Sequence, residues 1–340
     1  MSSILTAPED NLKNNLSNGC SKVEGKKLAF GRYFSEILYQ EFACYLTFPF
    51  LRDTIQKKEG VSIMHHVTVH LKDRFPFLGE AGKDPVLTTY LPYNMTEMNR
   101  QDWKRPSILL CPGGGYGMVS QREAEVIALH FLPEGFNVFV LTYTVKPHRF
   151  PTQLREVAAA METIYENADA WNTDVERIAI MGFSAGGHLA AHYSNAYDIP
   201  EVRSVFPHSK GVKASILCYS VINALPENAH KGSFQNLTGC QYPLEDALTE
   251  KFSCDRLVTD HTPPAFLWHT AADQSVPVNN SLLYAQALAK HGISFGLHVY
   301  PAGKHGLATV DEQTNGELDP VVQSAKDWLP ALKNWLKFML

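Results

Sequence analysis

From residue 107 onward the chain alternates short apolar runs with segments of helical period, and this alternation limits the folds open to it. The runs are SILLC (107–111), NVFVLTYTV (137–145), RIAIMGF (177–183), KASILCYSVI (213–222), PAFLWHT (264–270) and SFGLHVY (294–300). Their apolar character is nearly continuous, as expected of strands covered on both faces of a parallel sheet. Between them, PTQLREVAAAMETIYENADA places Leu154, Val157, Ala158, Met161, Ile164, Tyr165 and Ala168 on one helical face, with Pro151 in the first turn. NSLLYAQALAKHG repeats the period and stops at Gly292. The final segment opens on Asp319-Pro320 and carries Trp328, Leu332, Trp335 and Leu336, with Pro330 placed to kink or break it. Upstream, SIMHHVTVHL and PVLTTYLPY alternate with period two and predict an antiparallel pair. The pattern predicts an α/β fold with a doubly wound, mostly parallel sheet and antiparallel opening strands.

Two stretches stand outside the alternation. Residues 223–263 are a long irregular polar insert between two strands, expected to act as a short cap shaping a pocket at the carboxyl edge of the sheet. Residues 1–60 read as an N-terminal extension to a catalytic domain at 61–340. The first 25 or so of them are polar. An aromatic arm follows (Phe30, Tyr33, Phe34, Tyr39, Phe42, Tyr45, Phe48, Phe50), expected to be helical and to pack on the domain or on a second copy of the chain.

A net charge of −5 with interspersed signs leaves no basic patch, so nucleic acid is not an expected partner. No run has membrane-spanning length, and the polar first twenty residues do not read as a signal peptide. Six cysteines without a CxxC pair suit reduced thiols, and the expected location is the cytoplasm.

The chemistry begins at IAIMGFSAGGHL. An apolar strand runs into Gly182-Phe183-Ser184-Ala185-Gly186, and a helix opens directly after it. Gly-x-Ser-x-Gly between strand and helix is the context of a nucleophile elbow, in which a strained turn lifts a serine hydroxyl off the sheet. A serine needs a base, and the base an orienting acid, here expected in the order Ser, acid, His after successive strands. YPAGKHGL places His305 in a glycine-flanked loop after the last strand, and FLWHTAADQSVP places Asp273 just past the strand before it. Asp255 and Asp260 precede that strand, and Asp311 follows the histidine, so all three are out of position. Stabilisation of an oxyanion calls for fixed N–H groups. LLCPGGGYG offers Gly113, Gly114 and Gly115 after an early strand. Gly114 and Gly115 are the expected donors together with Ala185, the choice among the three glycines being open on sequence alone. Tyr116 is expected to line the acyl pocket. No Lys-Ser/Thr follows the glycines, which argues against a nucleotide loop.

Taken together, CPGGGY, GFSAGGH, HTAADQSVPV and PAGKHG resemble the α/β-hydrolase superfamily. More narrowly they resemble its esterase/lipase branch of bacterial, xylan-type carbohydrate acetylesterases, over roughly residues 61–340. The hormone-sensitive-lipase branch has His-Gly-Gly-Gly where this chain has Pro112-Gly113-Gly114-Gly115. The resemblance implies Ser184 as nucleophile, Asp273 as acid and His305 as base, with no metal or organic cofactor. It also implies short acyl esters, O-acetyl groups on small carbohydrates in particular, as substrates. An amide-cleaving serine hydrolase on the same triad is the alternative. A non-catalytic binding protein is a third, disfavoured because no triad member is missing. His188 and His192, four apart on the helix, lack a third metal ligand, and His188 is expected under the site or in a hydrogen-bond network. Arg122-Glu123 is expected to form a salt bridge at a helix start, contact with substrate being the alternative.

Overall fold

The computed structural model describes residues 64–79 and 84–340. The predicted N-terminal extension, its aromatic arm and any role of that arm in self-association lie outside the described residues.

Eight strands form one sheet in the order β1-β2-β4-β3-β5-β6-β7-β8. They are β1 (Thr68–His70), β2 (Val86–Tyr90), β3 (Arg105–Cys111), β4 (Asn137–Thr142), β5 (Thr173–Phe183), β6 (Ala214–Cys218), β7 (Ala265–Thr270) and β8 (Phe295–Tyr300). β1 pairs with β2 and β2 with β4 antiparallel, and every other pair is parallel. This is the expected α/β-hydrolase arrangement. The longer helices are α1 (Thr152–Glu166), α2 (Ser184–Ala196), α3 (Lys231–Thr238), α4 (Asp246–Phe252), α5 (Asn279–Lys290) and α6 (Trp328–Met339). α3 and α4 lie within residues 223–263, so the insert is partly helical and not simply irregular.

The continuous apolar runs divide by alternation into two cores. Leu109, Phe139, Ile180, Leu217 and Leu267 face one core with Leu154, Met161 and Ile164 of α1 and Leu189 of α2. Their neighbours Ile108, Val138, Met181, Ile216 and Phe266 face the other, with Trp328, Leu332 and Leu336 of α6. A strand buried on both sides has no polar face, which explains why these runs lack period-two alternation. β8 departs from that expectation. It is the edge strand, and Phe295 and Val299 are exposed. The last helical segment is interrupted, but upstream of Pro330 rather than at it. A 3-10 turn over Ser324–Asp327 separates α6 from a short helix at Pro320–Gln323. Pro330 then sits in the first turn of α6, where a missing N–H costs little.

The order of the strands fixes where a site can form. β3 and β5 are neighbours, while the chain runs from β3 out to β4 on one side and from β5 to β6 on the other. Connections leaving in opposite directions open a crevice at the carboxyl ends of the strands. The β3 glycine loop and Ser184 both lie there. On one flank, Glu156 of α1 is fully buried and accepts hydrogen bonds from Thr144 N (2.8 Å) and Thr144 Oγ1 (2.6 Å) just beyond β4.

Burial pushes the Glu156 carboxyl up to about 7, against the opposing pull of those two bonds. A folded pKa above the ordinary value means that its contribution to stability is complete below the unfolded pKa and is lost as pH rises through about 7. Glu156→Gln cannot ionise. The melting temperature of the wild type relative to this variant should therefore fall between pH 5 and 8, by on the order of 3 °C. A pH-independent difference in calorimetry would refute the assignment.

Candidate active site

Nothing separates β5 from α2: Phe183 is the last residue of the strand and Ser184 the first of the helix. Ser184 sits at φ +53°, a left-handed backbone that non-glycine residues hold only where their surroundings enforce it. The flanking glycines show what enforces it. A Cβ at Gly182 would lie 2.1 Å from the Gly186 carbonyl oxygen, and a Cβ at Gly186 would lie 2.1 Å from the Cys111 carbonyl oxygen at the end of β3. The helix can start this close to two strand ends only where side chains are absent.

The serine does not stand alone. Its Oγ lies 2.7 Å from Nε2 of His305, and Nδ1 of His305 lies 2.6 Å from Oδ2 of Asp273. The geometry assigns Nδ1–H as donor to the carboxylate, leaving Nε2 to accept the serine proton. Oδ1 of Asp273 accepts from the amides of Ser275 (2.9 Å) and Val276 (3.0 Å). Below it, His269 in β7 places Nε2 2.9 Å from the Val276 carbonyl and 3.4 Å from Asp273 Oδ2, with Nδ1 2.8 Å from Ser281 Oγ. Burial by itself would raise the Asp273 carboxyl. Hydrogen bonds from His269 and His305, and the charge of His305, outweigh it and hold the group well below the usual carboxylate range. Asp255 instead accepts from the side chain of Asn223, and exposed Asp260 pairs with His291.

The glycine loop is held from behind. The amide of Gly113 donates to Oε2 of Glu123 at 2.9 Å, which commits it and leaves Gly114 and Gly115 to face Ser184 across the cavity. Ala185 follows the serine in the first turn of α2, where N–H groups have no partner within the helix. Glu123 also accepts from the Tyr219 hydroxyl at 2.7 Å and lies only 3% exposed. It is thus not in the salt bridge that the sequence suggested: both residues line the cavity, Arg122 exposed and Glu123 buried against its wall.

Tyr116 is likewise corrected. It does not line the cavity. At φ +54° its ring turns inward to 1% exposure, and its hydroxyl meets Nδ1 of His188 at 2.8 Å. His188 continues the network to the Phe252 carbonyl at 2.9 Å, as its place one turn past the serine suggested. Burial pushes His188 down to about 4 and His192 to about 3, so both are neutral struts. Among the described residues, no group of three or more His, Cys, Asp or Glu side chains is arranged to hold a metal.

The cavity above Ser184 has a volume of about 380 Å³. Its walls include Gly114, Gly115, Met118, Arg122, His305 and Ser275, and from the insert His230, Gly232 and Asn236. Asn236 also donates to the Gly115 carbonyl at 2.8 Å, so the insert helps hold the glycine loop. Sequence reasoning missed Tyr219 as part of this site, and reached Glu123 only as a salt-bridge or substrate-contact candidate and His230 and Asn236 only among the polar residues of the insert. The available signal was position: Tyr219 directly follows β6, and His230 and Asn236 fall in the one long insert.

The BD-FAE family model matches residues 93–288. Endo-1,4-beta-xylanase B of Butyrivibrio fibrisolvens is 37% identical over 235 residues, which are 66% of this chain and 36% of that protein. The acetylxylan esterase of Xylanibacter ruminicola is 32% identical over 205 residues, 59% of this chain and 41% of that protein. The chain thus spans less than half the length of these two relatives. An acetyl ester-xyloside bifunctional hydrolase from Caldicellulosiruptor lactoaceticus superposes with a TM-score of 0.68 at 32% identity, over 80% of this chain and 96% of that one. The carboxylesterase Cest-2923 from Lactobacillus plantarum superposes with a TM-score of 0.66 at 28% identity, over 81% and 97%.

Two glycine substitutions separate packing at the elbow from space in the cavity wall. Gly186→Ala should lower the melting temperature by at least about 6 °C, since its Cβ meets backbone on another strand. Gly232→Ala, whose nearest neighbour is the His230 ring at 3.6 Å, should change it by no more than about 2 °C. Equal effects in a thermal-shift assay would contradict the elbow analysis.

Proposed function

This chain belongs to the BD-FAE family of α/β-hydrolases, and we propose that it is a serine carboxylesterase that removes short acyl groups, O-acetyl groups on small carbohydrates above all. One observation carries the reading: a serine in an elbow, hydrogen-bonded to a histidine that a buried carboxylate orients, faces a glycine loop across a cavity.

Each residue then has a task. Ser184 Oγ attacks the ester carbonyl as its proton passes to Nε2 of His305. The carbonyl oxygen takes the negative charge and is met by the amides of Gly114 or Gly115 and of Ala185. The tetrahedral adduct expels the alcohol, which receives the proton from His305. Water, deprotonated by the same nitrogen, attacks the acyl-serine; the acid leaves and the proton returns to Ser184. Asp273 stays ionised throughout. It fixes the imidazole tautomer and balances the imidazolium.

The substrate class rests on the walls of the cavity and on the named relatives. Met118 is the one large apolar side chain among the lining residues, and the insert presents His230 and Asn236 rather than an apolar lid. Hydroxyl-bearing alcohols find hydrogen-bond partners in such a cavity, and a volume of about 380 Å³ suits short acyl groups better than long ones.

Ser184→Ala should lower kcat by roughly 10³-fold or more with the fold intact, and a serine-directed phosphonate should label Ser184 in the wild type. Asp273→Asn should cost roughly 10³-fold or more in kcat, and Asp255→Asn or Asp260→Asn less than about threefold. Across nitrophenyl esters, kcat/KM should be highest for acetyl, fall several-fold (~5) at butyryl and vanish by octanoyl. Acetylated xylo- or manno-oligosaccharides should be turned over and simple amides not. An octanoyl preference, or activity confined to amides, would overturn the substrate class while leaving the triad in place.

A further inference from the structure

Glu123 is a buried carboxylate with no ion pair among the described residues, and the acyl-transfer steps above do not use it. A carboxylate in that position is costly unless its hydrogen bonds do something that a neutral side chain cannot. Its two oxygens reach two separate loops. Oε2 accepts from the Gly113 amide at 2.9 Å, and Oε1 accepts from the Tyr219 hydroxyl at 2.7 Å. The Tyr219 oxygen in turn accepts from the Ala308 amide at 3.0 Å, three residues past His305 on the loop that carries it. The Tyr219 ring meets the His305 ring edge to face at 5.1 Å between centroids. Tyr219 holds φ +36°, a strained backbone for a large side chain, directly after β6. The fit at the other end is equally tight, since a Cβ at Gly113 would fall 2.7 Å from Glu123 Oε2.

We propose that Glu123 and Tyr219 are paired positioning residues, a carboxylate–phenol strap that sets the glycine loop and the His305 loop in register with each other. The proposal rests on the esterase reading above. The bond from Gly113 fixes the Pro112–Gly113 peptide plane, and so sets the start of the loop whose next amides meet the oxyanion. The bond from Ala308 and the ring contact fix the imidazole above Ser184. Both loops must be correct in the same instant, when the proton leaves the serine and charge appears on the substrate oxygen. The strap therefore acts on the transition state and not on the bound ester, and its loss belongs in kcat.

The test uses the full chain with Tyr219→Phe, Glu123→Gln and the double variant, assayed on nitrophenyl acetate with melting temperature measured in parallel. Tyr219→Phe keeps the ring and carries the test if Glu123→Gln fails to fold. Each single variant should lose about tenfold in kcat, with KM within about threefold of wild type. The double variant should fall no further than the worse single, because both cut one connection. Affinity for a trifluoromethyl ketone, which forms a tetrahedral serine adduct, should weaken in step with kcat/KM. Full kcat in Tyr219→Phe, losses that multiply in the double variant, or losses confined to KM would overturn the proposal. Turnover and Ser184 labelling in the wild type separate the two failures: their absence removes the esterase reading itself, whereas their presence with insensitive variants removes only the strap.

Discussion

The site depends on how closely backbone can approach backbone where β5 becomes α2. With no room for side chains at Gly182 and Gly186, the helix starts on the last residue of the strand and leans against the end of β3. That contact turns Ser184 up out of the sheet and sets it beside the glycine loop leaving β3. Remove the close approach and the serine becomes an ordinary residue in an ordinary strand–helix turn. Everything else in the site is arranged around where that hydroxyl points.

Much of this was legible in the sequence, for a physical reason. Strands buried on both faces write themselves as continuous apolar runs, and a site built at strand ends inherits its residue order from the order of the strands. Ser184, Asp273 and His305 each follow a run, so position alone could nominate them. Tyr116 and Glu123 were misread because nothing in a local pattern says which way a loop side chain turns. Tyr116 has a positive φ that sends its ring into the core, and Glu123 is drawn inward by an amide ten residues back and a phenol ninety-six residues on. Long-range partners of that kind leave no periodicity to read. The helices of the insert escaped for a related reason: α3 and α4 are short and carry many polar residues, so no extended apolar stripe marks them.

The electrostatics divide the molecule's histidines by task. Burial keeps His188 and His192 neutral; His188 bridges the Tyr116 hydroxyl and the Phe252 carbonyl behind the loop, and His192 packs among the rings of Phe150, His188 and Phe252. His269 braces the acid from below, between Ser281 and Asp273, while His305 joins the Ser184 hydroxyl to the same carboxylate. One residue type serves as spacer, brace and base, and what changes between these tasks is the set of partners on the two ring nitrogens.

The insert at 223–263 hangs between the ends of β6 and β7, while all three members of the hydrogen-bonded relay sit on sheet-anchored turns. The insert is nevertheless joined to the domain at several points: Phe234, Leu237 and Phe252 enter the core, the Leu237 carbonyl accepts from the Phe150 amide, and the Phe252 carbonyl meets His188. Asn236 clasps the Gly115 carbonyl, so a replacement insert has to bring a donor to the same spot or leave the glycine loop unsupported.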